Sequence, residues 1–112
     1  MSQITTHILD LSSGRPADGV KATLFQLEIG EWKKITEGVT NNDGRIPNLL
    51  KKEVVLESGA HKLRFETQAY FNLQSVETFY PYVEIIFEVL NNEHYHVPLL
   101  LSPYGYSTYR GS

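Results

Sequence analysis

Apolar and polar residues alternate with a period of two along most of this chain. Leu63 and Phe65 are interleaved with Lys62, Arg64 and Glu66, and Val83, Ile85, Phe87 and Val89 with Tyr82, Glu84, Ile86 and Glu88. Tyr95, Val97, Leu99 and Leu101 form a third such set, and Ile4, Thr6 and Ile8 a fourth, with Thr5, His7 and Leu9 between them. Alternation of this kind predicts half-buried strands. Lys21 to Glu28 and Trp32 to Thr36 are two further strands, and Gly30 between them predicts a hairpin. Turns are expected at Ser12-Ser13-Gly14-Arg15-Pro16, at Asn41-Asn42-Asp43-Gly44 and at Glu57-Ser58-Gly59, whose residue types tolerate positive φ. One segment departs from the pattern. Over 67–76, Ala69, Leu73 and Val76 recur at helical spacing, with Thr67 as N-cap, which predicts a short helix. Many short strands and one helix predict an all-β sandwich, and 112 residues make it one domain, 1–112.

In a sandwich each strand turns one face to the core and the other to solvent or a partner. With Ile4, Thr6 and Ile8 inward, His7 and Leu9 point out; with Tyr95, Val97, Leu99 and Leu101 inward, His94, His96, Pro98 and Leu100 point out. The outer face of the last long strand is thus apolar, yet it carries two histidines. Such a face predicts an oligomer whose interface covers them. Partly dry imidazoles there would titrate close to neutrality, where proton transfer is useful. Pro98 donates no ladder bond, so its nitrogen must face an unpaired side or a bulge. His61, beside a glycine turn, reads as a surface residue, and Arg45, after Asp43-Gly44, as a solvated loop cation. All seven tyrosines lie after position 69, four of them from Tyr95 to Tyr109, which draws attention to the C-terminal end.

Composition removes several classes of function. There is no cysteine, which excludes disulfides, thiolate nucleophiles and cysteine-held metals. Ten Lys+Arg against thirteen Asp+Glu give a net charge of −3, without the basic stripe of a nucleic-acid protein. Neither a membrane span nor a secretory signal at Met1-Ser2-Gln3-Ile4 is expected, and a cytoplasmic location follows as the expectation. His94 and His96 leave one strand face together and would suit a metal only with a third ligand, for which His7 is the candidate.

Three blocks carry a resemblance. The first is Thr5-Thr6-His7-Ile8-Leu9-Asp10 with Gly14-Arg15-Pro16-Ala17, and the second is Thr40-Asn41-Asn42-Asp43-Gly44-Arg45. The third runs from His94-Tyr95-His96-Val97-Pro98-Leu99 to the terminal Tyr109-Arg110-Gly111-Ser112. Through them the chain resembles the transthyretin-related 5-hydroxyisourate hydrolases nearly end to end. The resemblance implies two four-stranded sheets with a short helix. It also implies a homotetramer, a dimer of dimers, with active sites in the grooves between dimers. It implies hydrolysis of 5-hydroxyisourate without metal or organic cofactor. His7 and His96 would flank the substrate, Arg45 would bind it and stabilise an oxyanion, and Tyr109 and Ser112 would line the pocket, Ser112 through its hydroxyl or its carboxylate. Arg110 would serve either the pocket or the structure. The carriers of the same fold lack the terminal tetrapeptide and hold other residues where this chain has His7, Arg45 and His96. A carrier of an aromatic ligand, a metal-dependent hydrolase and a purely structural protein are the competing readings.

Overall fold

The computed structural model describes residues 2–112; Met1, where the signal-free reading of the N-terminus begins, lies outside the described residues. Eight strands and one helix follow in the order β1 (Ile4–Asp10), β2 (Arg15–Pro16), β3 (Lys21–Glu28), β4 (Glu31–Val39), β5 (Gly59–Phe65), α1 (Thr67–Asn72), β6 (Val83–Val89), β7 (Tyr95–Ser102) and β8 (Gly105–Thr108). They form two four-stranded sheets, β2-β1-β7-β8 and β4-β3-β5-β6, as expected. The β1–β7 pair is parallel, and the other pairs are antiparallel. Between the sheets lie Ile4, Ile8, Leu24, Leu63, Phe65, Val83, Val89, Leu99 and Leu101, all essentially buried. These are the inward members of the alternating runs, so the period-two pattern placed the core. No helix among the described residues is long and apolar enough to cross a membrane.

Two expectations change. The helix is six residues long rather than spanning 67–76, and Glu66, not Thr67, holds the N-cap position. Its buried face is Thr67 and Phe71, while Ala69 and Leu73 are exposed. Residues 67 and 71 are four apart and share a helix face just as 69 and 73 do, and the bulk of Phe71 decides which face turns inward. The chain then leaves the helix through Ser75 at φ 57°. His61 is fully buried rather than on the surface, its Nδ1 lying 3.0 Å from the Gly59 carbonyl. It belongs to the inward set His61, Leu63, Phe65 of β5, and the same alternation would have found it.

The β3–β4 hairpin turns through Ile29 and Gly30, at φ 48° and 76°. Positive φ at both central residues is the type I′ pattern that suits strand twist, but a β-branched residue fits it badly. Ile29 is also fully exposed, so no packing offsets the strain. Ile29→Asn should stabilise the fold by roughly 1 kcal/mol. A rise in the urea midpoint at constant m-value is the expected observation, and an unchanged or lower midpoint would contradict it.

Candidate active site

The parallel register of β1 on β7 sets Thr5 beside His96 and His7 beside Pro98. Directly paired residues share a sheet face, so Thr5, His7 and His96 all project outward from the core. Burial along both strands agrees except at one position: Tyr95, Val97, Leu99 and Leu101 are buried and Thr5, His7, His96 and Leu100 half-buried, but Pro98, expected on the outer face, is buried too. His94, just ahead of β7, is exposed, and its ring stacks on that of His96 with centroids 6.3 Å apart.

Arg45 reaches this face through the turn after β4. The Asn41 side-chain carbonyl accepts from the amides of Asp43 (2.9 Å) and Arg45 (3.1 Å), and the Gly44 amide donates to the Asn41 carbonyl at 2.9 Å. The Gly44 carbonyl in turn accepts from the Ile8 amide at 2.9 Å, which ties the turn to β1 and pairs Arg45 with His7 in an isolated bridge. Gly44 has φ +73°, and a Cβ there would overlap the Ile8 carbonyl oxygen. Only glycine satisfies both conditions. Arg45 is exposed and has no carboxylate partner among the described residues.

The C-terminal tail closes the other side. The β7–β8 ladder runs from Ser102↔Gly105 to Leu99↔Thr108, then lapses, and resumes at the His96↔Gly111 bridge. Pro98 stands in the gap, opposite Tyr109 in that register, with no amide to donate. Its carbonyl accepts instead from the Thr108 hydroxyl at 2.7 Å. Beyond the gap the Gly111 amide donates to the His96 carbonyl at 2.9 Å. A Cβ at Gly111 would overlap the His96 ring. Gly111→Ala should therefore displace either the ring or the tail and lower turnover, while the exposed tail leaves thermal stability nearly unchanged. A variant as active as the parent would show that this close approach is dispensable.

Together these segments line a cavity of about 490 Å³ that includes Thr5, Arg45, Asn48, His94, His96 and Ser112. Burial, the Arg45 guanidinium and the neighbouring rings of His94 and His7 hold the His96 imidazole below its ordinary value. Burial and then Arg45 lower His7 in the same way, although Asp43 opposes the shift. Both rings are thus biased toward the neutral form, in which a nitrogen lone pair can accept a proton. In this concavity the His96 imidazole supplies a base and Arg45 an anion-binding group, with His7 bridged to Arg45.

The structure brings Arg45, His96 and Ser112 to this cavity and sets His7 against Arg45 at its margin. Tyr109 lines a second cavity, of about 330 Å³, with Ile86, Leu90 and Arg110, and His96 borders both cavities. Arg110 is turned away as well, its guanidinium stacking 4.5 Å from the centroid of the Tyr95 ring. Among the described residues no three His, Cys, Asp or Glu side chains converge to hold a metal ion, so His7 does not complete a set with His94 and His96. Sequence reasoning passed over Thr5. Its hydroxyl lies 2.7 Å from His94 Nε2 and 2.8 Å from His96 Nδ1. The signal was present, because Thr5 shares the outer face of β1 with His7.

Residues 4–111 match the model of the transthyretin family, described as the HIUase/Transthyretin family. The chain belongs to this family. It is 45% identical to the 5-hydroxyisourate hydrolase of Mus musculus over 114 residues, covering 99% of this chain and 96% of the mouse protein. Among solved structures it is similar to Klebsiella pneumoniae 5-hydroxyisourate hydrolase, with 38% identity and a TM-score of 0.80 over 97% of this chain and 92% of that one. It is also similar to sea bream transthyretin in complex with thyroxine, with 32% identity and a TM-score of 0.92 over 98% and 95%. The backbone fits the transthyretin better and the sequence fits the hydrolases better. Within the HIUase/transthyretin family, then, backbone shape does not separate the two activities, and the side chains of the site must do so.

Proposed function

We propose that this chain is a hydrolase that opens the six-membered ring of 5-hydroxyisourate, giving 2-oxo-4-hydroxy-4-carboxy-5-ureidoimidazoline. The observation that carries the reading is the meeting of His96 and Arg45 at one cavity, with His7 bridged to Arg45 beside it. In the proposed reaction a water oxygen bonds to the ring carbonyl carbon as its proton passes to one of the two imidazoles. The carbonyl oxygen becomes an oxyanion beside Arg45, whose planar donors suit an anionic, purine-like ring. Collapse of the oxyanion breaks the carbon–nitrogen bond, and the imidazolium returns its proton to the departing nitrogen. Ser112 also lines the cavity, where it would orient the water. Tyr109 enters the site in this reading only through the tail that it begins.

The working unit in this proposal is a homotetramer, a dimer of dimers, with the site in the groove between dimers. The half-buried His96 and Leu100 and the sheet-edge strands β6 and β8, with Ile86 62% and Tyr106 42% exposed, support a covering second copy. One domain over 1–112 and a cytoplasmic location belong to the same proposal. The cysteine-free composition suits a reducing compartment.

The better backbone fit to a thyroxine complex favours one rival, a carrier of an aromatic ligand. Carbon-13 NMR of freshly generated 5-hydroxyisourate separates the two. Catalytic amounts of protein should make the ring-opened carboxylate appear faster than in the blank. Stoichiometric binding with no change in substrate lifetime would overturn the hydrolytic reading. The pH profile adds a second test. Because burial and Arg45 lower both imidazoles, the base stays neutral as the pH falls through the ordinary histidine value, about 6.5. Activity should hold down to that pH and decline only below it. A decline beginning above pH 7, or none down to pH 4, would exclude these imidazoles as the base.

A further inference from the structure

We propose that Thr5 and His94 form a positioning relay that decides which nitrogen of His96 carries the proton. The Thr5 hydroxyl stands between His94 Nε2 at 2.7 Å and His96 Nδ1 at 2.8 Å. A hydroxyl has one proton to give and lone pairs to accept with. When it donates to one ring nitrogen, the other nitrogen must donate to it if both contacts are hydrogen bonds. Two orderings satisfy both contacts in full. In the first, Thr5 donates to His94 Nε2 and accepts from His96 Nδ1–H, which leaves a lone pair on His96 Nε2. In the second, Thr5 donates to His96 Nδ1, and the proton of His96 sits on Nε2.

Only the first ordering gives a base. Among the described residues no protein group hydrogen-bonds His96 Nε2, whereas Nδ1 is engaged by Thr5. Nε2 is therefore the nitrogen left for substrate or water. When it takes a proton, the first ordering persists unchanged, because the imidazolium still donates from Nδ1 to Thr5. The second ordering must rearrange before His96 can accept anything. His94 supplies the acceptor that draws the Thr5 proton away from His96, and the stacking of the two rings keeps that acceptor in place. The sheet register builds the device: Thr5 is paired directly with His96, and His94 lies two residues earlier on the same side of the chain. A third group that fixes the tautomer of a catalytic imidazole is a recurrent element of hydrolytic sites, where loss of the correct tautomer is expensive. The relay rests on the hydrolytic reading only in taking His96 as the proton acceptor.

The test reads the tautomer itself. Histidine-labelled protein, in which only the four histidines carry nitrogen-15, is examined by long-range proton–nitrogen NMR at about pH 8, above the ordinary histidine value. His96 should be Nδ1–H in the parent chain. Thr5→Val, which keeps the shape and removes the hydroxyl, should shift it toward Nε2–H and lower kcat roughly tenfold or more with little change in KM. Thr5→Ser should restore both. Should Thr5→Val not fold, His94→Phe removes the acceptor and leaves the hydroxyl, and the same shift is expected. A parent His96 already in the Nε2–H form, or a tautomer indifferent to both substitutions, would overturn the relay. A parent chain that holds Nδ1–H through Thr5 but does not turn the substrate over would support the relay and sink the hydrolytic reading.

Discussion

Deleting Tyr109 to Ser112 is expected to lower turnover of 5-hydroxyisourate by at least about 10²-fold while leaving a folded sandwich. The tail touches the site in two ways. Gly111 donates its amide to the His96 carbonyl and lies too close to the His96 ring to leave room for a Cβ, and Ser112 lines the cavity. Its removal takes away a wall and the restraint on His96 together. It removes little of the core. The last regular pair of the sheet is Leu99↔Thr108, and Tyr109 is 58% exposed. Circular dichroism and a thermal melt should therefore resemble those of the full chain. Full activity in the truncated protein would show that the tail stands outside the chemistry. Loss of the folded signal would show that Arg110 on Tyr95 supports the fold more than its exposure suggests.

Arg45→Ala is the second large effect, expected to reduce kcat/KM by roughly 10²- to 10³-fold. In the proposed groove between dimers an oxyanion would depend on a fixed donor, and among the described residues no other Lys or Arg lines that cavity. Arg45→Lys should recover only part of the loss, because an ammonium keeps the charge but not the planar pair of donors. Stability is a useful control. Arg45 is exposed and without an ion-pair partner among the described residues, so either variant should unfold within about 0.5 kcal/mol of the parent. Near-normal turnover in Arg45→Ala would remove the guanidinium from the mechanism.

Much of this was legible in the sequence. The alternating sets of Ile4–Ile8, Val83–Val89 and Tyr95–Leu101 placed the core and assigned His7 and His96 to an outer face, because a period of two leaves no freedom once one face is buried. Asn41-Asn42-Asp43-Gly44 announced a turn, but not that its Gly44 carbonyl would bind the Ile8 amide and set Arg45 beside His7. That contact joins residues far apart in the chain, and no local pattern encodes it. The parallel register of β1 on β7, which brings Thr5 to His96, was hidden for the same reason. The helix was read on the wrong face because the spacing of 69, 73 and 76 ignored the larger Phe71. Pro98 signalled a broken ladder correctly, and the break falls where the tail turns toward the cavity. The roles of His7, Arg45, His96 and Ser112 came from resemblance. The geometry supports a shared cavity for three of them and brings in Thr5, to which the resemblance gave no role.

The most direct measurement generates 5-hydroxyisourate in place with urate oxidase and follows its ultraviolet decay with and without this protein, in the presence of a chelator. The account predicts an acceleration that is proportional to protein concentration, survives the chelator and disappears in Arg45→Ala. Decay at the spontaneous rate in the presence of the folded protein would contradict it.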